Sequence, residues 1–114
     1  MKVGLVALML VACVSAEPND AAVCMQIEQN CPTTPPSYAG DVAPIVQARC
    51  VGCHFPGTTI APSDLSTYAQ LRPRAGTALG QVQTCNMPPP DAGALSEGER
   101  TTFVEWLRCG APNN

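Results

Sequence analysis

Seven cysteines and twelve prolines restrict what this chain of 114 residues can fold into. Proline breaks helices and central strands, and one tryptophan, two tyrosines and two phenylalanines are the only aromatic residues. A small domain with so little core material usually needs disulfides, a metal or a cofactor. The net charge is −3 and the charges are interspersed. This pattern argues against nucleic-acid binding, which would call for a basic stripe or stacking aromatics.

The N-terminus predicts export. An apolar run over residues 3–12 follows a short charged start and is too short to span a bilayer, so it indicates a signal peptide. Residues 10–13 resemble a bacterial lipobox, in which Cys13 would be lipidated; cleavage after Ala16 is the alternative. We favour a lipoprotein signal peptide over residues 1–12, because the apolar run stops at Cys13. Either route predicts a periplasmic protein, membrane-anchored or soluble.

The rest of the chain divides into a tether and a domain. Residues 13–37 are rich in proline and small polar residues, which is typical of a linker. Within this tether, a local disulfide between Cys24 and Cys31 could close one or two helical turns. The compact domain is expected over residues 38–114.

Three segments of this domain before the last helix are predicted to be helical. Residues 40–50 form the first, with Asp41 as a possible N-cap. Residues 61–71 offer a second short helix with Ser66 as its cap, and residues 75–85 a third that two glycines weaken.

The last helix has the strongest signals. Ser96 and Glu99 predict a capping box at its start. Phe103, Trp106 and Leu107 recur at helical spacing and predict an apolar face. Since no segment alternates like a strand, we expect an all-α domain with long irregular connections.

The sequence CVGCH contains the only histidine, His54. C-x-x-C-H is the attachment signature of c-type haem, in which one turn carries two thiols to the porphyrin and the next residue ligates iron. A thioredoxin-like pair would need a strand context, and a zinc site would have only Cys85 and Cys109 as further donors. A plain disulfide between Cys50 and Cys53 would leave His54 without a role.

A haem in this chain would need a sixth ligand or an open site, and a second histidine is absent. Met1 and Met9 belong to the signal peptide and Met25 to the tether. Met87 lies in the proline-rich loop NMPPP, which could hold a thioether against iron at little entropic cost. Core filling is the alternative role for Met87.

Four separated blocks resemble a class I, monohaem cytochrome c domain of the bacterial exported type: DVAPIVQARCVGCH, DLSTYAQL, MPPP and LSEGERTTFVEWLRCGAP. The resemblance implies a cytochrome c-like fold, with few short helices around one covalent haem c. It implies thioether bonds to Cys50 and Cys53 and axial ligation of iron by His54 and Met87. It also implies that an N-terminal helix crosses the C-terminal helix beside the haem.

Two further expectations depend on this resemblance. Phe103 and Trp106 would supply aromatic contacts to the haem. Cys85 and Cys109 are not part of the general pattern, and we interpret them as a disulfide that ties the Met87 loop to the last helix. With Cys13 lipidated, Cys24 paired with Cys31, and Cys50 and Cys53 on haem, all seven cysteines have a role, although other pairings remain possible.

Several polar residues have weaker interpretations. Arg72 and Arg74 could meet a haem propionate or be solvated loop residues. Tyr68 is expected to pack rather than to bind a propionate. The acidic residues of the last helix are expected to form a solvated face: Glu97, Glu99 and Glu105.

The resemblance implies an electron carrier, not an enzyme. We expect a monomer that meets redox proteins transiently, binds no nucleic acid, and reaches the membrane through a lipid on Cys13. Two alternatives remain at this point: a haem-based sensor or peroxidase-like site with a displaceable Met87, and a haem-free, disulfide-stapled lipoprotein that acts as an interaction module.

Overall fold

The computed structural model describes Cys24 and residues 26–28, 30–61 and 63–114. The signal peptide, Cys13 and Met25 lie outside the described residues. Regular structure in the described part is entirely helical, as expected. The α-helices are α1 (Ala43–Arg49), α2 (Tyr68–Leu71), α3 (Ala75–Gln83) and α4 (Glu97–Arg108). Single turns of π- or 3₁₀-helix add Tyr38–Val42, Arg72–Arg74 and Pro90–Ala92. Among the described helices, none is both long and apolar enough for a membrane span.

The predicted first helix is present, but its cap is a different residue. Ser37 is the N-cap of a π-helical turn that runs into α1, and its hydroxyl accepts a hydrogen bond from the Gly40 N–H at 3.0 Å. Asp41 lies inside that turn, and its carboxylate accepts from the Ser37 N–H at 2.7 Å. The expected Asp41 cap is therefore wrong, because the helical path begins before this residue.

The second helix is short and also begins at a different cap. Thr67, not Ser66, precedes α2, and its hydroxyl accepts from the Gln70 N–H at 3.2 Å. The Ser66 N–H instead donates to the Asp64 carboxylate at 2.8 Å. Pro73 has no N–H to continue the α-helical pattern, so α2 passes through a 3₁₀ turn before α3 begins.

Helix α4 agrees with its prediction. Both bonds of the capping box are present: the Ser96 hydroxyl accepts from the Glu99 N–H, and the Glu99 carboxylate accepts from the Ser96 N–H. Gly110, at φ 89°, follows the helix in the left-handed region that glycine adopts without strain.

The core lies between α4 and the N-terminal helical segment. Trp106 is fully buried, and its indole N–H donates to the Pro112 carbonyl at 3.0 Å. The rings of Tyr38 and Tyr68 pack against it, with centroid distances of 5.6 and 6.4 Å. The other fully buried large side chains come from α4, from α2 and from the N-terminal helical segment: Phe103, Val104, Leu71, Val42 and Val46. The N-terminal and C-terminal helical segments therefore pack together.

The disulfide pairing differs from the expected one. Cys24 is bonded to Cys85 and Cys31 to Cys109, so the predicted bonds Cys24–Cys31 and Cys85–Cys109 are wrong. The segment with the first two cysteines lies along the domain, where Ile27 packs against the core. Cys24 thus reaches the end of α3 and Cys31 the end of α4. Spacing along the chain could not reveal this, because a disulfide depends on which cysteines the fold brings together.

This pairing has two consequences. The described part of the expected tether is fastened to the helical domain at two points, 61 and 78 residues away along the chain. Two disulfides are also typical of an oxidising, extracytoplasmic compartment.

Candidate functional site

The CVGCH segment forms a single turn at the end of α1. Cys50 is the C-cap of α1, and its N–H donates to the Val46 carbonyl at 2.9 Å. The Cys50 carbonyl then accepts from the N–H groups of Cys53 and His54, at 3.2 and 2.9 Å. This turn brings both cysteines and the histidine to the wall of one cavity.

The two cysteines of this turn carry free thiols, whereas the other four described cysteines are paired. Burial raises the pKa of the Cys50 thiol to about 11. A catalytic redox cysteine needs a lowered pKa, so a thioredoxin-like role is disfavoured. The plain disulfide between Cys50 and Cys53 is not present either.

A protein zinc site finds no support in the part of the chain that the structure describes. There, no three side chains of His, Cys, Asp or Glu are grouped so that they could hold a metal ion. The candidate donors Cys85 and Cys109 are both consumed by disulfides.

The His54 ring is held in one orientation. Its Nδ1 lies 2.7 Å from the Ser63 carbonyl oxygen. Because a carbonyl only accepts, Nδ1 carries a proton, and in the neutral imidazole Nε2 then has the lone pair. Histidines that ligate metals are commonly held in this way, with the other ring nitrogen donating to a carbonyl. The His54 carbonyl also accepts from the Leu65 N–H at 3.0 Å, which fastens the loop to the turn.

The cavity beside this turn has a volume of about 520 Å³. That is in the range of about 300–1,000 Å³ that is usual for small-molecule and cofactor sites. Much of its wall is apolar, with contributions from Ile60, Leu65, Ala78, Val82, Leu95 and Phe103. Such a wall suits a ligand with an apolar surface.

Met87 lies on the rim of this cavity rather than in the core. Its side chain is 39 % exposed, and Ile60, also on the rim, is 72 % exposed. Core filling therefore does not account for Met87. Its backbone is tied to the end of α3, since the N–H groups of Asn86 and Met87 donate to the Gln81 carbonyl at 2.9 and 3.1 Å.

The structure separates the two candidate arginines. Arg74 lines the cavity, whereas Arg72 does not. Hydrogen bonds from Ser66 lower the pKa of Asp64, and the positive charge of Arg74 lowers it further. Of the two, only Arg74 is placed to meet a carboxylate in the cavity.

The aromatic residues also take different roles. Phe103 lines the cavity, but Trp106 lies in the core behind it and is not part of the wall, so the expected cofactor contact of Trp106 is not seen. Tyr68 packs as expected: its hydroxyl donates to the Ala111 carbonyl at 2.8 Å.

The acidic residues of α4 do not form a uniform solvated face. Glu97 is exposed and Glu105 half-buried, whereas Glu99 pairs with Arg49 at 3.2 Å and so links α4 to α1. The Ser96 backbone N–H, and then Arg49, lower the pKa of Glu99.

Sequence reasoning missed Ser63 and Gln81, which position His54 and Met87 through backbone carbonyls. No sequence signal could have found them, because any residue type provides that oxygen. Comparisons with protein-family models, with curated proteins and with solved structures give no match.

Proposed function

We propose that this chain is an exported monohaem c-type cytochrome of class I, which carries single electrons between redox partners. The observation that carries the proposal is the turn from Cys50 to His54. It directs two free thiols and a histidine with an oriented ring into one largely apolar cavity.

Each residue of this turn has a defined chemical role. The thiols of Cys50 and Cys53 would add across the two vinyl groups of the porphyrin and form two thioether bonds. His54 would offer the Nε2 lone pair to iron, while Ser63 keeps the proton on Nδ1. Met87, which lines the same cavity, is the candidate for the second axial ligand. Bound haem c would supply the one-electron couple of its iron.

The surroundings favour electron transfer over chemistry on a substrate. Leu95, Phe103, Pro88 and Pro89 line the cavity and would keep water from the cofactor. A dry pocket with histidine and methionine ligands raises the reduction potential of a haem. Arg74 would be available to a propionate at the polar part of the wall.

Partners would be redox proteins that dock transiently at the cavity mouth, where Ile60 and Met87 are exposed. Transient redox encounters use small interfaces, of less than about 1,200 Å² in total. We propose a monomer, anchored on the periplasmic side by a lipid on Cys13, in keeping with the oxidising compartment that the two disulfides indicate.

The test is production of the full chain in a host with c-type haem maturation machinery. We expect a haem that stays attached after acid extraction, a mass raised by one haem, and c-type bands in the reduced spectrum. The Cys50→Ser/Cys53→Ser variant should lose all three, whereas Cys31→Ser/Cys109→Ser, with the same number of changes outside the cavity, should keep them. Protein with native disulfides and no covalent haem would refute the proposal and favour the haem-free interaction module.

The exposure of Met87 favours a second candidate, a haem-based sensor or peroxidase-like site in which this ligand is displaceable. The ferric wild-type spectrum distinguishes the two. A thioether-to-iron band at long wavelength, abolished in Met87→Ala, supports the electron carrier. Covalent haem without that band, together with tight binding of carbon monoxide, would support the sensor.

A further inference from the structure

Met87 has few connections of its own to the rest of the domain. Its side chain lies on the cavity rim, and its N–H is bonded to the Gln81 carbonyl at 3.1 Å. The Asn86 side chain donates to the Gln81 side-chain oxygen at 3.1 Å and strengthens the same link. The position of Met87 therefore depends on the turn that ends α3.

That turn is held in an unfavourable backbone conformation. Cys85 has a φ of 58°, in the left-handed region that non-glycine residues adopt at a cost in free energy. The Cys85 N–H donates to the Val82 carbonyl at 3.2 Å, at the upper end of the usual range. The covalent link from Cys85 to Cys24 adds a long-range restraint to the local hydrogen bonds of this turn.

The bridge is also accessible from outside. Cys24 is exposed and Cys85 half-buried. A second cavity of about 190 Å³, lined by Cys24, Gln83 and Thr84 among others, lies beside the bond. The exposed Cys24 is therefore the end of the bond that a small thiolate can reach first.

The other disulfide provides a contrast. Cys109 caps α4, and its N–H donates to the Glu105 carbonyl at 2.9 Å. The cysteines of both bridges lie outside the wall of the main cavity, but Cys109 is at the end of α4, whereas Cys85 is two residues before Met87. Loss of this bond would loosen the end of α4 but leave the turn before Met87 intact.

We propose that the Cys24–Cys85 disulfide positions Met87 at the cavity, and that its reduction by a dithiol converts a closed electron-transfer site into one open to small ligands. The step is balanced: the dithiol gives two electrons and two protons, the Cys24–Cys85 bond breaks into two thiols, and the dithiol becomes a disulfide. This inference rests on the proposed haem attachment and on Met87 as an axial ligand.

The test compares two double variants matured with haem. Cys24→Ser/Cys85→Ser should lose the thioether-to-iron band of the ferric protein. Its ferrous form should bind carbon monoxide more tightly, on the order of tenfold or more, because a bound Met87 no longer competes. Cys31→Ser/Cys109→Ser should keep the band and the weak carbon monoxide binding of the wild type.

A second measurement covers the case in which Cys24→Ser/Cys85→Ser does not accumulate. The matured Cys31→Ser/Cys109→Ser protein, whose remaining structural bond is Cys24–Cys85, is reduced to the ferrous state and treated with dithiothreitol under carbon monoxide. Because the haem is already reduced, a rise in carbon monoxide binding with unchanged helical circular dichroism reports local release of Met87 after cleavage of the disulfide. A rise that appears only together with loss of the helical signal would contradict the local role.

The outcomes separate the two levels of the proposal. Wild-type protein without covalent haem would overturn the proposed function and this inference together. Covalent haem without the thioether band would overturn the inference about Met87 and leave haem attachment standing. An unchanged band and unchanged carbon monoxide binding after loss of Cys24–Cys85, or an equal effect of losing Cys31–Cys109, would overturn the positioning role alone.

Discussion

Replacement of Cys31 and Cys109 by serine should lower the free energy of unfolding substantially. The bond closes a loop with a sequence separation of 78 residues. The chain-entropy relation for a loop of this length gives about 4.5 kcal/mol at 25 °C, and measured losses are about 2–5 kcal/mol. A small domain has a total stability of roughly 5–15 kcal/mol, so this loss is a large fraction of the total.

The same chain-entropy relation also predicts how the stabilities of the two disulfide variants compare. Cys24–Cys85 has a separation of 61 residues, for which the entropic contribution is about 4.3 kcal/mol, only about 0.2 kcal/mol less. The two double variants should therefore lose similar stability, although only one of them disturbs Met87. Similar stability combined with different ligation would show that the effect on Met87 is local.

The assay is denaturant unfolding of the haem-loaded proteins, followed by the fluorescence of Trp106 and by helical circular dichroism. Trp106 is the only tryptophan and is fully buried, so its emission reports loss of the core. A loss of less than about 1 kcal/mol for Cys31→Ser/Cys109→Ser would refute the long-loop reasoning, since even the low end of measured values is higher.

Peptide mapping without reduction checks the pairing on which this magnitude depends. Tryptic cleavage at arginine leaves Cys24 and Cys31 in one peptide, Cys85 in a second and Cys109 in a third. The pairing in the structure links all three peptides. A further cut after Glu28 should separate them into two disulfide-linked pairs, one with Cys24 and Cys85 and one with Cys31 and Cys109. An N-terminal peptide free of the other two would instead indicate the pairing Cys24–Cys31.

Three further predictions concern the helices. Leu71→Ala should cost about 2–5 kcal/mol in denaturant unfolding, because this fully buried side chain is the only core residue of α2; a loss under about 1 kcal/mol would contradict its core position. The pKa of Glu99 in the folded protein is lowered from 4.5. The ionised Glu99 carboxylate therefore stabilises the fold above the unfolded-state pKa. This contribution is lost as the pH falls through the folded-state pKa. Glu99→Gln should therefore be less stable than wild type at neutral pH, and the difference should shrink below about pH 4.5; a gap in unfolding free energy that is independent of pH would refute this. Gly110→Ala should cost about 1–2 kcal/mol, because its φ of 89° strains any side chain, and thermal unfolding that matches wild type would show that the turn relaxes freely.

The elements that could be predicted depend on near neighbours in the chain. The capping box of α4 needs only Ser96 and Glu99, three residues apart, and both of its bonds are present. The turn that brings Cys50, Cys53 and His54 together is equally local, since one carbonyl accepts from two nearby N–H groups. Capping boxes and helical turns depend on residues that are close together in the sequence. The all-α class could therefore be predicted from them.

The start of a helix was harder to predict where several polar residues compete. Ser37 and Thr67 are the caps in place of Asp41 and Ser66. Serine, threonine and aspartate all accept hydrogen bonds from backbone N–H groups. Their positions in the sequence therefore do not show which of them is the N-cap. The path of the backbone into each helix selects one of them.

The sequence by itself determined the helical character, the thiol–thiol–histidine turn and the residue types that could reach a cofactor. The tertiary structure alone decided the disulfide partners, placed Trp106 behind the cavity and Met87 on its rim, and gave Ser63 and Gln81 their positioning roles. The physical reason is the range of the interactions. Helical turns and caps close over a few residues, whereas a disulfide or a cavity wall joins positions that only the packing of the whole domain brings within reach.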